Sequence, residues 1–131
     1  MTGVAPFLST IRHLTIGGPD SVPYRIAILQ SASVPAQLGY RAELMRLAVR
    51  HKWLEYIPTI SRGWLDSDWA GESGRVEDVA RKHLDLLGFA PTSTTVYLCG
   101  NPHMIHNMEG ILQRAGFPKE SVRKENYWPA D

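Results

Sequence analysis

Residues 95–104 read TVYLCGNPHM, and this stretch decides the fold class of the chain. The apolar run at 96–98 is typical of a buried parallel strand, because such strands carry continuous apolar residues. Gly100 permits a tight turn after the strand, and Pro102 fits the first position of a following helix. This order places Cys99 at the carboxyl edge of a sheet, which is where open α/β folds bind their ligands.

Strand and helix patterns alternate along the rest of the chain. The further strand patterns lie at residues 25–30, 54–60 and 122–128, and the helical patterns lie at residues 6–14, 38–51, 76–87 and 103–115. Such alternation predicts an α/β domain over residues 1–131, with a doubly wound parallel sheet and helices on both faces.

Two details of these patterns are specific enough to test. Pro58 interrupts the strand pattern at 54–60, and we expect that strand to end early or to bulge there. In the helix pattern at 38–51, the apolar residues are expected to cluster on one face and Arg46 and Arg50 to point outward. The clustered residues are Leu44, Leu47, Ala48 and Val49.

Composition excludes several classes of protein. The 131 residues suffice for one ordinary domain, and 44% of them are hydrophobic. Fourteen basic and thirteen acidic residues give a net charge of +1, which argues against a nucleic-acid partner or a membrane-surface role for the whole domain. The single cysteine excludes an intrachain disulfide and a cysteine-based metal cluster, and it fits the reducing cytoplasm. We also find no signal-peptide pattern and no run long enough to span a bilayer, and we expect a cytoplasmic protein.

No metal site is expected. His103 and His106 have a spacing that suits metal ligands, but no carboxylate or further histidine is evident beside them in the sequence. We therefore interpret both as surface or core histidines.

Two patterns are suited to binding anions. Residues 2–6 read TGVAP and open a helix, and helix N-termini bind anions through free N–H groups. Taken alone, this pattern is more often a helix start without a ligand. The second pattern is Ser61-Arg62 followed by Gly74-Arg75. Arginine pairs with phosphate through a planar fork, although exposed arginines usually contact only solvent.

Together these motifs resemble the NADP-binding domain of bacterial-type ferredoxin(flavodoxin)–NADP reductases, a family of FAD- and NAD(P)-binding oxidoreductases. The resemblance rests on TGVAPFLS at 2–9, the Ser-Arg and Gly-Arg pairs, CGNP at 99–102 and ENYW at 125–128. It implies a Rossmann-like domain that binds NADP(H) for hydride transfer to or from FAD. It also implies electron exchange with ferredoxin or flavodoxin as partner.

The resemblance also implies roles for individual residues. Cys99 and Glu125 would be the catalytic pair, with the thiol beside the nicotinamide ring and the carboxylate assisting proton exchange. Tyr127 would stack on the flavin ring and Trp128 would pack near the flavin nucleotide. The remaining residues that would bind cofactor are Thr2, Gly3, Ser61, Arg62, Arg75, Gly100, Asn101 and Pro102.

Three neighbouring positions qualify this assignment. Ser33 stands where related reductases often carry a nucleotide-binding arginine, while Tyr40-Arg41 resembles the family pattern. Two interpretations of Trp64 and Trp69 are open. They cover a bound adenine, or they anchor the loop in which they lie. We expect loop anchoring.

The family motif reads Gly-Thr-Gly-x-Ala-Pro and follows an apolar central strand, whereas here Met1 stands at the first glycine. We therefore expect the chain to be the C-terminal part of a longer protein, or the product of an open reading frame started too late. Its FAD-binding domain would be supplied in cis or in trans, and we expect little turnover without it. The strands at 25–30 and 95–98 would flank the missing strand.

Two other functions remain open. One is an NADH-dependent reductase component of an oxygenase, against which the arginine pair and the absence of a cysteine cluster weigh. The other is a non-catalytic nucleotide-binding remnant, for which the absent first strand is the evidence.

Overall fold

A computed structural model describes residues 4–17 and 22–126 of the chain. The chain divides into two units, Met1–Arg75 and Val76–Asp131. The four helices of the described part are α1 (Ala5–Leu14), α2 (Arg41–Arg50), α3 (Val76–Leu87) and α4 (Pro102–Arg114). Its strands are β1 (Ile26–Ala32), β2 (Leu54–Ile60), β3 (Glu72–Ser73), β4 (Val96–Gly100) and β5 (Val122–Asn126).

The first unit contains a parallel sheet of order β1-β2-β3. The β1–β2 register runs from Ile26 opposite Leu54 to Ala32 opposite Ile60, and β3 pairs only with the last two residues of β2. The core of this unit joins α1 and α2 to the two long strands, and its buried residues are Val4, Leu8, Ile11, Ile28, Leu44, Trp53 and Leu54.

Pro58 does not interrupt β2, and the expectation of an early end or a bulge was wrong. The N–H of Ser61 donates to Ala32 of β1, and Ile60 accepts from the N–H of Gly74 on the opposite side. The backbone N–H and C=O groups of successive residues in a strand point to opposite neighbours, so those of Pro58 point to the same side as those of Ile60. The short strand β3 pairs with β2 only from Thr59 onward. The missing N–H of Pro58 therefore costs no hydrogen bond of the β1–β2 ladder.

Helix α2 begins later than the sequence pattern indicated. Tyr40 precedes it with a left-handed φ of 62°, and a short 3₁₀ turn occupies Pro35–Gln37. Leu44 is fully buried, but Val49 is 89% exposed, so its predicted place in the apolar cluster was wrong. With about 100° between successive residues, Val49 lies well away from the face that Leu44 defines.

The second unit pairs β4 and β5 in parallel, with Val96 opposite Val122 and Gly100 opposite Asn126. Leu98 is buried, whereas Tyr97 is 60% exposed, so the prediction of a wholly buried strand fails at Tyr97. Successive side chains of a strand face opposite sides, and Tyr97 lies on the side opposite to Leu98.

The predicted ends of the two helices in this unit are confirmed. Gly88 and Gly116 have positive φ values of 71° and 94°, which suits the residue after a helix. The side chains buried behind the strands come mainly from α4, and they include Ile105, Met108 and Leu112.

The α/β class with parallel strands is thus the observed class. In the part of the chain described, β1 has a strand on one side only, and the same holds for β4. None of the helices described is long and apolar enough to cross a membrane.

Candidate functional site

Ser61, Arg62 and Arg75 lie at one edge of the β1–β2–β3 sheet. Ser61 and Arg62 follow β2 directly, and Arg75 comes two residues after β3. Since the three strands are parallel, their carboxyl ends meet at this edge. The sequence predicted this position for Ser61 and Arg62, but it did not predict β3. The side chains of Arg62 and Arg75 are both exposed there. We call Ser33, Ser61, Arg62 and Arg75 the arginine edge.

Backbone hydrogen bonds hold this edge in place. The N–H groups of Ser61 and Arg62 donate to the carbonyls of Ala32 and Ser33 over 2.9 and 3.0 Å. On the other side, the buried Thr59 hydroxyl donates to the carbonyl of Gly74 over 2.7 Å. Gly74 has a φ of 122°, a conformation that favours glycine at the turn before Arg75. The two arginines therefore start from fixed backbone positions.

Arg41 is a further cationic residue of this unit that the sequence analysis did not assign to the site. Its guanidinium carbon lies 4.9 Å from the ring centroid of Trp69, in the loop between β2 and β3. Its Nε is buried and has no hydrogen-bond partner. The available signal was the resemblance of Tyr40-Arg41 to the family pattern, and the structure places Arg41 at the start of α2.

Trp69 anchors its own loop, in line with the preferred interpretation. Its indole N–H donates to the carbonyl of Glu72 over 2.9 Å, and its ring lies so close to Gly71 that an added Cβ would approach it to 2.6 Å. Trp64 is 77% exposed. The contacts of Trp69 give it a structural role, whereas most of the Trp64 side chain is open to solvent.

Tyr56 and Gln30 form a hydrogen-bonded pair on the neighbouring strands β2 and β1. The Tyr56 hydroxyl donates to the side-chain carbonyl of Gln30. The side-chain N–H of Gln30 in turn donates to the backbone carbonyl of Gly39 over 3.0 Å. Burial raises the pKa of Tyr56 to about 12, and the positive charge of Arg41 acts in the opposite direction. Arg41 is therefore close enough to this hydroxyl to act on it electrostatically.

Cys99 and Glu125, which are far apart in sequence, are cross-strand neighbours in the second unit. Cys99 lies opposite Glu125 in the β4–β5 register. Burial, and to a smaller degree the charge of Glu125, raise the pKa of the Cys99 thiol. The thiol is therefore protonated at neutral pH, which suits a packing role and not that of a nucleophile. We call Cys99, Gly100, Asn101, Pro102 and Glu125 the cysteine edge.

Asn101 has a structural role that the sequence analysis did not assign. Its side-chain oxygen accepts a hydrogen bond from the N–H of Met104 over 2.8 Å, which makes it the N-cap of α4. Pro102 occupies the first turn of this helix, as predicted. The cap fixes where α4 begins at the end of β4.

Four of the predicted site residues lie outside the described residues: Thr2, Gly3, Tyr127 and Trp128. Among the residues that are described, no group of three or more histidine, cysteine, aspartate or glutamate side chains is placed to hold a metal ion.

Comparison with known proteins shows the family of this chain. Residues 2–110 match the family model of the oxidoreductase NAD-binding domain, and the chain belongs to that family. The reductase component of propane 2-monooxygenase from Mycolicibacterium goodii is 31% identical over 128 residues, which are 95% of this chain and 35% of that protein. NADH-cytochrome b5 reductase 2 from Gallus gallus is 34% identical over 128 residues, which are 92% of this chain and 38% of that protein.

A solved structure shows the same fold. The ferredoxin NADP+ reductase from Neisseria gonorrhoeae with bound FAD and NADP superposes with a TM-score of 0.76 at 22% identity, over 96% of this chain and 52% of that one. The chain spans little more than a third of the length of the two curated relatives. The predicted fold and the predicted membership of an NAD(P)-binding oxidoreductase family are therefore confirmed, and this chain is an oxidoreductase NAD-binding domain.

Proposed function

We propose that this chain binds NADP(H) as one half of a ferredoxin or flavodoxin–NADP reductase and positions the nicotinamide for hydride exchange with FAD. The observation that carries the proposal is the arginine edge, where Arg62 and Arg75 start from the carboxyl ends of adjacent parallel strands. The residues present fit the nucleotide, because exposed guanidinium groups on a fixed backbone are suited to a phosphate ester.

The arginine edge supports a preference for NADP over NAD. The two nucleotides differ only in the phosphate on the adenosine ribose, so a group that binds this phosphate acts on one of them alone. Each charge-assisted hydrogen bond contributes roughly 1.5–3 kcal/mol, and two together give about a hundredfold preference or more.

The cysteine edge supports a role beside the nicotinamide. A bound nicotinamide supplies the hydride chemistry, and the protein contributes orientation and electrostatics. The protonated thiol of Cys99 offers a small apolar surface against which a ring can pack. The carboxylate of Glu125, on the adjacent strand, would accept or release the proton that accompanies electron transfer.

The second candidate is the NADH-dependent reductase component of an oxygenase. It is favoured by the relative from Mycolicibacterium goodii, which is the reductase component of propane 2-monooxygenase. In that case the electrons would pass to an oxygenase component, and the ribose phosphate would bring no advantage in binding.

Titration of the chain with NADPH and with NADH separates the two candidates. We expect NADPH to bind about a hundredfold more tightly than NADH. Equal affinities would favour the oxygenase type, and a chain that binds neither nucleotide would overturn both.

A second test addresses the cysteine edge in a form of the protein that contains FAD. Cys99→Ala should slow hydride transfer from NADPH in stopped-flow absorbance and leave the bound FAD intact. An unchanged rate would contradict the role of Cys99 beside the nicotinamide. Complete loss of folded protein would instead assign Cys99 to the core alone.

A further inference from the structure

Arg41 is a partly buried cation for which the described residues provide no counter-ion. The ion pairs found among those residues join Arg12 to Glu43, Arg81 to Asp85 and Lys124 to Glu109. None of them includes Arg41, whose Nε is buried without a hydrogen bond. An unpaired buried donor destabilises the protein, and the cost is larger for a charged group.

The polar neighbours of Arg41 do not satisfy it. The side-chain carbonyl of Gln30 accepts from Tyr56, and the amide of Gln30 donates to Gly39. Tyr56 is neutral at physiological pH, since burial raises its pKa to about 12. Among the described residues, the guanidinium therefore contacts the Trp69 ring and has no anionic partner.

Arg41 contacts the loop that connects the two arginines of the arginine edge. Its guanidinium lies over Trp69, in the loop that begins with Arg62 and leads to β3 and Arg75. Trp69 is itself held by its hydrogen bond to Glu72 of β3. A cation–π contact occupies one face of the guanidinium, and the planar guanidinium group is suited to a bidentate anionic partner.

We propose that Arg41 is a third anion-binding residue of the arginine edge and that its ligand is a phosphate monoester, the phosphate on the adenosine ribose of NADP(H). The proposal rests on the nucleotide binding inferred above. Ser33, at the end of β1, offers no charge at this edge, and Arg41 supplies one from the start of α2. Arg41 thereby determines specificity without taking part in the hydride chemistry.

Equilibrium titration of Arg41→Met, in the form of the protein that contains FAD, tests this. Methionine keeps much of the apolar side chain and removes the charge and the planar fork. We expect NADP+ and 2′,5′-ADP to bind about tenfold more weakly, or more weakly still, and NAD+ and 5′-ADP to change little. Arg50→Met, at the exposed far end of the same helix, is the matched control and should leave all four affinities unchanged.

Two further measurements keep the result decisive. Arg41→Lys retains the charge but not the fork, so its affinity for 2′,5′-ADP should lie between those of the wild type and Arg41→Met. Circular dichroism shows whether each variant folds, and if Arg41→Met does not fold, Arg41→Lys alone decides between a binding role and a structural one.

The outcomes separate this inference from the proposed function. If the wild type prefers NADP+ and the Arg41 variants retain that preference, Arg41 is only a structural partner of Trp69 and the inference is overturned. Equal losses for 2′,5′-ADP and 5′-ADP would assign Arg41 to the pyrophosphate and also overturn it. A wild type that binds neither NADP+ nor NAD+ would overturn the proposed function together with this inference.

Discussion

Arg62 and Arg75 are exposed, so replacing either should change ligand binding more than stability. We expect Arg62→Ala and Arg75→Ala each to weaken NADP+ binding about tenfold or more, because each removes a charge-assisted hydrogen bond to the ribose phosphate. NAD+ lacks this phosphate and should bind almost as before. Isothermal titration calorimetry with both nucleotides measures the difference, with Arg50→Ala as the control. Equal losses for the two nucleotides would contradict the assignment.

The reactivity of Cys99 tests whether Glu125, its neighbour across the β4–β5 pair, acts on the thiol. Since burial and Glu125 both raise the pKa of the thiol, the thiolate forms only at higher pH than in an ordinary cysteine. Alkylation by iodoacetamide should therefore have a pH midpoint above that of a free cysteine. Glu125→Gln removes the negative charge, so it should move this midpoint to lower pH.

The control for this experiment is Glu120→Gln, an exposed carboxylate that precedes the same strand. It should leave the alkylation midpoint of Cys99 unchanged. Identical midpoints for Glu125→Gln and the wild type would mean that the carboxylate does not act on the thiol.

At the scale of secondary-structure elements, the N-cap of α4 has a measurable effect. The Asn101 side chain accepts from the N–H of Met104, and Asn101→Ala leaves that donor without its partner. We expect a loss of about 1 kcal/mol in the free energy of unfolding, measured by denaturant titration. Asn101→Asp retains an oxygen acceptor and should stay close to the wild type. If the alanine variant is as stable as the wild type, the cap contributes nothing.

Long, regular elements were predicted well from the sequence, and short or mixed ones were not. Helix α3 has the predicted bounds, because its apolar periodicity is sustained over three turns and Gly88 ends it. Strand β3 was not predicted, since two residues carry no periodicity. Pro58 signalled a break in β2 that does not occur, because its missing N–H faces away from β1.

At the scale of the whole molecule, the unpaired strand edges predict how the chain behaves in solution. Among the described residues, β1 and β4 each have a strand on one side only. Such edges expose N–H and C=O groups that can pair with another chain. We expect the 131-residue chain to self-associate, or to unfold at low denaturant concentration. Light scattering over a range of concentrations measures the association, and a stable monomer that unfolds cooperatively would contradict the prediction.

The sequence by itself determined the α/β class, the parallel strands, the family and the strand ends that carry Arg62 and Cys99. These features depend on local periodicity and on glycine and proline positions, which are readable along one chain. Only the tertiary structure placed Cys99 opposite Glu125 and the guanidinium of Arg41 over Trp69. Strand register and side-chain packing join residues that are distant in sequence, and no local pattern encodes which of them will meet.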